Sequence, residues 1–170
     1  SIAGGDPLVH PEIVEIVRLI AERGAKPIVN TNALALTPEL LRELKRAGVF
    51  GFTFHIDSKQ GRPKWRGADE IDLNELRLEY AEMVADVGDL TCSFNATVYG
   101  DTLKQVPDVV EWGQKHIDKV HVLVFIAFRA GMINGDFDYY AAGKKIDISP
   151  MPYSAEEATR IDIQSTDVLE

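Results

Sequence analysis

Stretches that read as strands alternate with amphipathic stretches that read as helices about every thirty residues, and this rhythm constrains the fold more than any other feature of the chain. A strand, a crossover helix and a returning strand in one sheet make a right-handed parallel unit. The expected class is therefore α/β, built either as a TIM-type barrel or as an open doubly wound sheet. In both architectures ligands meet the carboxyl ends of the strands.

The chain opens with Ser1-Ile2-Ala3, too short for a whole strand, and runs into Gly4-Gly5-Asp6-Pro7. Two adjacent glycines let the main chain approach a ligand closely and take dihedrals closed to other residues. Asp6 places a carboxylate at the bend and Pro7 stiffens its exit. Such a rigid acidic turn suits an ammonium group or a metal ion; taken alone it is equally an ordinary strand-to-helix connection. Ile13, Val14, Ile16, Val17 and Ile20 then share one helix face, with Gly24 placed to end it.

Pro27-Ile28-Val29 reads as a buried strand that finishes in Asn30-Thr31-Asn32, and Thr37-Pro38 caps a helix carrying Leu40, Leu41 and Leu44 up to Gly48. Residues 49–56 are apolar enough for a strand buried on both faces, and they lead into His55, Asp57 and Ser58. Asp72 and Glu75 resemble a capping box, opening a helix that turns Leu73, Leu76, Tyr80, Met83, Val84 and Val87 inward. A fourth strand over 91–99 contains Asn95. Thr102 with Gln105 is expected to cap a helix burying Val106, Val109, Val110 and Ile117, and a fifth strand over 120–128 ends at Arg129. Beyond residue 130 the period fails, so residues 1–130 are expected to form the ordered unit and 131–170 an irregular segment, with local pairing around Ile146 and Ile148 and a helix start at Ser154 to Glu157.

With 170 residues and 45% apolar content the chain can bury one core. Its 27 acidic against 18 basic residues, net −9, argue against a broad nucleic-acid footprint. One basic loop exists: Lys59, Arg62, Lys64 and Arg66 surround Trp65, either as a solvated segment or as a wall beside His55 that closes over an anionic substrate. No apolar run reaches the roughly 18 to 20 residues needed to span a bilayer, and a cytoplasmic location is expected. The single cysteine, Cys92, builds neither an internal disulfide nor a metal cluster.

Polar residues gather where the strands end: Asp6, then Asn30 and Asn32, then His55, Asp57 and Ser58, with Asn95 in the fourth strand and Arg129 after the fifth. Each has an ordinary structural use alone. Together they are explained most economically by a polar ligand.

Gly4-Gly5-Asp6-Pro7 followed by Leu8, His10-Pro11 and an Ile/Val helix, then Asn30-Thr31-Asn32 and Phe54-His55-Ile56-Asp57-Ser58, resembles the radical S-adenosylmethionine (radical SAM) superfamily. The resemblance covers residues 1–129 and implies a partial (β/α) barrel equivalent to strands two to six of a (β/α)6 core. It implies that Gly4, Gly5, Asp6 and Pro7 receive the methionine ammonium of S-adenosylmethionine, Asp standing where the family usually has a one-methylene-longer Glu. It also implies that Asn30, Asn32, His55, Asp57 and Ser58 contact its carboxylate and ribose, and that Asn95 and Arg129 line the cavity. His55 stands where related sequences often have serine, as a contact to a cofactor hydroxyl or as a catalytic proton carrier.

The family's Cys-x-x-x-Cys-x-x-Cys loop, which holds a [4Fe–4S] cluster, does not occur in the sequence. The resemblance therefore implies a core fragment whose cluster ligands lie upstream. It would be inactive in isolation, its parent using a flavodoxin- or ferredoxin-type electron donor to cleave the cofactor and abstract hydrogen from a small-molecule or peptide substrate. Two other readings compete. One is a barrel hydrolase holding zinc or manganese with His10, His55 and Asp57; the other is a cluster-free binding module.

Overall fold

The computed structural model describes residues 1–128, 138–147, 163 and 165–169. Its core is a four-stranded parallel sheet in the order β1 (Ile28–Thr31), β2 (Gly51–His55), β3 (Thr91–Val98) and β4 (Val122–Ala127). The helices α1 (Ile13–Glu22), α2 (Pro38–Arg46), α3 (Leu73–Val87) and α4 (Val106–Lys115) alternate with the strands along the chain. Ile2 adds a fragment of a further strand: its N–H donates to the Ile28 carbonyl at 2.7 Å and its carbonyl accepts from Asn30 N–H at 2.9 Å, a parallel bridge beside β1. Strand order thus follows chain order, as in one sector of a (β/α) barrel.

The register gives the sheet two unlike faces. Val29 pairs with Phe52, Phe52 with Cys92, and Phe54 with Phe94. These residues are buried with Val17 of α1, Leu41 and Leu44 of α2, and Leu73, Ala81 and Val84 of α3. On the alternate positions Asn30 pairs with Thr53, Thr53 with Ser93, and His55 with Asn95. The strands are therefore not hydrocarbon on both faces, as a doubly covered parallel sheet would be. The helices cover one face; the other is polar on β1 to β3 and apolar on β4, where Val122, Val124 and Ile126 are exposed.

Local signals hold where a single residue decides them. Thr37 accepts from Leu40 N–H with Pro38 in the first turn of α2, and Gly24 and Gly48 take positive φ after α1 and α2. Other expectations fail for identifiable reasons. Asp72 makes no cap with Glu75; Asp69 accepts instead from the N–H groups of Ile71 and Asp72, while Asp72 accepts from Asp69 N–H. Thr102 spends its hydroxyl on Tyr99, and Gln105 reaches across to Glu70 N–H rather than closing a box. Ile117 lies past the end of α4 and is 76% exposed.

Tyr140–Ala141 and Lys144–Lys145 form a small antiparallel hairpin, β5 and β6, whose turn residues Ala142 and Gly143 both have positive φ. The Ile146 N–H donates to Tyr139, so the expected local pairing reaches Ile146. Ile148, the helix start at Ser154 and the strand-end Arg129 lie outside the described residues.

Candidate functional site

The Gly4-Gly5 turn closes one side of a cleft of about 300 Å³ lined by Ala3, Gly4, Gly5, Asp6, Asn30, Thr31, Asn32, His55 and Gln60. Both glycines have positive φ, +100° and +58°, and a Cβ on either would meet nothing within 4 Å. The glycines thus serve backbone conformation and leave the main chain bare toward the cleft.

Asp6 holds the turn in place. Its carboxylate accepts from Leu8 N–H at 2.9 Å, from the Thr31 hydroxyl at 2.8 Å and from Asn32 N–H at 3.0 Å. It thereby caps the short 3-10 helix Pro7–Val9 and fastens the turn to the end of β1. Most of its lone-pair capacity is used inside the protein. Thr31, absent from the residues singled out by sequence, also accepts from Ala33 N–H. Its signal was its place between Asn30 and Asn32: in a strand whose neighbours face the open side, the middle residue points back toward the helices.

The end of β2 is anchored by side chains arriving from later in the chain. Arg62, only 5% exposed, donates to the carbonyls of Asn32 at 2.6 Å and His55 at 2.9 Å and to the Gln60 side chain at 2.9 Å. Arg77, fully buried on α3, donates to the Ile56 carbonyl and pairs with Glu70 at 2.6 Å, while Glu70 accepts from Ser58 N–H at 2.6 Å. Burial pulls both guanidinium pKa values down; Tyr80 and Asp57 oppose this for Arg62, and Glu70 for Arg77. The basic loop is therefore divided between an inward anchor and solvated cations. Arg62 turns inward to tie two strand ends, Trp65 packs against the core, and Lys64 and Arg66 are exposed.

His55 lies at the centre of the polar face. Its Nε2 is 2.9 Å from the Asp57 carboxylate and 3.2 Å from the Thr97 hydroxyl. Asp57, its side chain 3% exposed, sits behind the imidazole and accepts from Lys59 N–H at 3.1 Å. Burial alone would raise the Asp57 pKa, but His55, the Lys59 N–H and Thr97 together hold it below the usual carboxylate range. Such a carboxylate contributes stability above the unfolded-state pKa of about 3.9, and this contribution is lost as pH falls through the lower folded-state value. Urea-denaturation midpoints are expected to drop below about pH 4, and Asp57→Asn is expected to flatten part of that slope; an unchanged slope would show that the carboxylate is not so held.

Asn95, the cross-strand partner of His55, carries a buried Oδ1 without a hydrogen-bond partner among the described residues. An orphaned acceptor on the open face fits a site built to receive a donor. Of the residues read from sequence, the structure gathers Gly4, Gly5, Asp6, Asn30, Asn32 and His55 around one cleft. Asp57 lies behind His55, Pro7 is buried beneath the turn, and the backbone of Ser58 is held by Glu70. Gln60 and Thr97 are additions; Thr97 was legible as the residue two beyond Asn95 on the same strand face.

His10 is exposed, with its Nδ1 accepting from Glu12 N–H. Among the described residues no three His, Cys, Asp or Glu side chains converge as metal ligands, so the hydrolase reading with His10 fails. Cys92 is fully buried and its thiol is pushed up to about 12 by desolvation, the behaviour of a packing residue. No helix among the described residues is long and apolar enough to cross a membrane.

A model of the radical SAM superfamily matches residues 1–113, from the start of the chain into α4. The chain belongs to the radical SAM superfamily. This family uses S-adenosylmethionine and a [4Fe–4S] cluster. The PqqA peptide cyclase of Bradyrhizobium diazoefficiens is 26% identical over 94% of the chain and 39% of its own length. The GTP 3′,8-cyclase of Marinobacter nauticus is 25% identical over 69% of the chain and 36% of its own length. Streptococcus suis SuiB bound to S-adenosylmethionine superposes with a TM-score of 0.54 at 15% identity, covering 79% of this chain and 30% of SuiB. The chain thus spans well under half of these relatives, and the likeness to SuiB is one of fold.

Proposed function

We propose that this chain supplies the S-adenosylmethionine-binding part of a radical SAM enzyme, in which the cleft beside Gly4-Gly5 holds the methionine end of the cofactor and the open sheet face leads to the substrate. The observation that carries this reading is the convergence of a bare glycine backbone, Asn30, Asn32 and His55 on one cleft at the strand ends, in a chain whose family uses that cofactor. The donor set fits: Gly4 and Gly5 offer main-chain carbonyls to an ammonium, and Asn30 and Asn32 offer amide groups to a carboxylate. Asp6 adds negative charge while its oxygens hold the turn. Asn95, in register with His55, carries a buried Oδ1 without a hydrogen-bond partner among the described residues.

When bound with its cluster, the cofactor supplies reductive carbon–sulfur cleavage and hydrogen abstraction. The protein's share is to bind, orient and exclude water. Arg62 and Arg77 fix the end of β2, so His55 projects from a backbone whose carbonyls are already satisfied. The cluster ligands, the electron donor of flavodoxin or ferredoxin type, and the small-molecule or peptide substrate belong to the full-length protein.

The test is anaerobic reconstitution of the full-length protein with iron and sulfide, followed by reduction with dithionite and S-adenosylmethionine. Release of 5′-deoxyadenosine, lost on Gly5→Val, is the expected result. Absence of cluster absorbance and of this product would overturn the reading.

A further inference from the structure

The pairing of His55 with Asp57 and Thr97 determines which imidazole nitrogen is left for a ligand. Asp57 is an acceptor throughout the pH range in which it is ionised. The Thr97 hydroxyl, 3.2 Å from Nε2, can accept a hydrogen bond from the same nitrogen. The ionised carboxylate 2.9 Å from Nε2 therefore calls for a proton on that nitrogen, and the Thr97 hydroxyl at 3.2 Å is compatible with one. In a neutral imidazole the other nitrogen is then a pure acceptor. No described residue hydrogen-bonds to Nδ1, and the ring lines the cleft with 38% of its side chain exposed.

We infer that Asp57 is a positioning residue that locks His55 as the Nε2–H tautomer, so that Nδ1 accepts a hydrogen bond from a hydroxyl of the ligand in the cleft. The inference rests on the cofactor reading above and sharpens it. A neutral His55 of this tautomer repels a carboxylate lone pair and selects a donor, which on S-adenosylmethionine assigns it to the ribose side. Asn30 and Asn32, whose amides can donate, are left for the carboxylate.

Nitrogen-15 long-range correlation spectra of the full-length protein without its cluster, recorded at pH 8, read the ring's protonation and tautomer directly. The expected signature is a protonated Nε2 and a bare Nδ1, converted to a tautomer mixture in Asp57→Ala while a distant histidine is unchanged. A bare Nε2 in the parent protein would overturn the inference. Titration with S-adenosylmethionine is then expected to shift His55 Nδ1 together with the amides of Gly4 and Gly5, and 2′,3′-dideoxy-S-adenosylmethionine is expected to shift the glycines alone.

Side-chain geometry supplies a second arm. The amide of Asn lies where His has Nδ1, and that of Gln where His has Nε2. His55→Asn is expected to keep affinity for S-adenosylmethionine within about threefold, whereas His55→Gln is expected to lose about tenfold, the loss of one ligand hydrogen bond. Glycine shifts without a His55 response would overturn the role of Nδ1 and leave the cofactor reading standing. Absence of both would overturn that reading as well.

Discussion

Replacing Arg77 with alanine is expected to lower unfolding free energy by about 3–5 kcal/mol, because it leaves Glu70 as an unpaired charge in the core. Arg77 is fully buried, and its guanidinium serves the Glu70 carboxylate and the carbonyls of Glu70 and Ile56. Urea denaturation of Arg77→Ala, Glu70→Gln and the double variant measures the coupling. Arg77→Met with Glu70→Leu removes both charges and is expected to recover only part of the loss, since the Ile56 carbonyl and the Ser58 N–H remain buried without their partners. A single-variant loss below about 1 kcal/mol would show that water reaches the pair.

Asp6 carries the second large expectation. Its carboxylate holds Leu8, Thr31 and Asn32 at once, and hydrogen bonds to a charged acceptor contribute about 1.5–3 kcal/mol each when well shielded. Asp6 is only partly buried, so Asp6→Ala is expected to cost about 2–3 kcal/mol in total and to free the glycine turn from β1. Asp6→Glu keeps the charge but extends the arm by one methylene, which pushes the carboxylate past the three donors. It is expected to lose about 1 kcal/mol and to weaken S-adenosylmethionine binding even though glutamate is the family's usual residue. Thermal denaturation and calorimetry on the same preparations separate the two effects; a fully stable Asp6→Glu variant with unchanged affinity would show that the turn tolerates both lengths.

The parallel architecture was legible in the sequence because each strand–helix unit is marked by its own apolar period and by local signals such as the start at Thr37-Pro38 and the stop at Gly48. The cleft was legible because polar side chains at strand ends need a reason to be there. What escaped were partnerships made across the fold. Arg77 interrupts the stripe formed by Leu73, Leu76, Ala81 and Val84, and a cation at such a position signals a buried partner, but nothing in the local sequence names Glu70 as that partner. Asp69 and Asp72 are both acceptable caps, and tertiary placement of the loop chose between them. The strand over residues 49–56, which read as buried on both faces, proved polar on one, because β2 places only the side chains of Thr53 and His55 on its open side and two residues are too few to show an alternation.

The inward turn of Arg62 bears on kinetics. A loop that opened to admit a ligand would have to pull a buried guanidinium away from the carbonyls of Asn32 and His55 and expose both to water. Residues 58–62 therefore form a standing wall, and a ligand meets the cleft already shaped. A ligand of this cleft is therefore expected to bind in a single concentration-dependent phase, without the slow opening step of a lid-gated site, as stopped-flow transients would record.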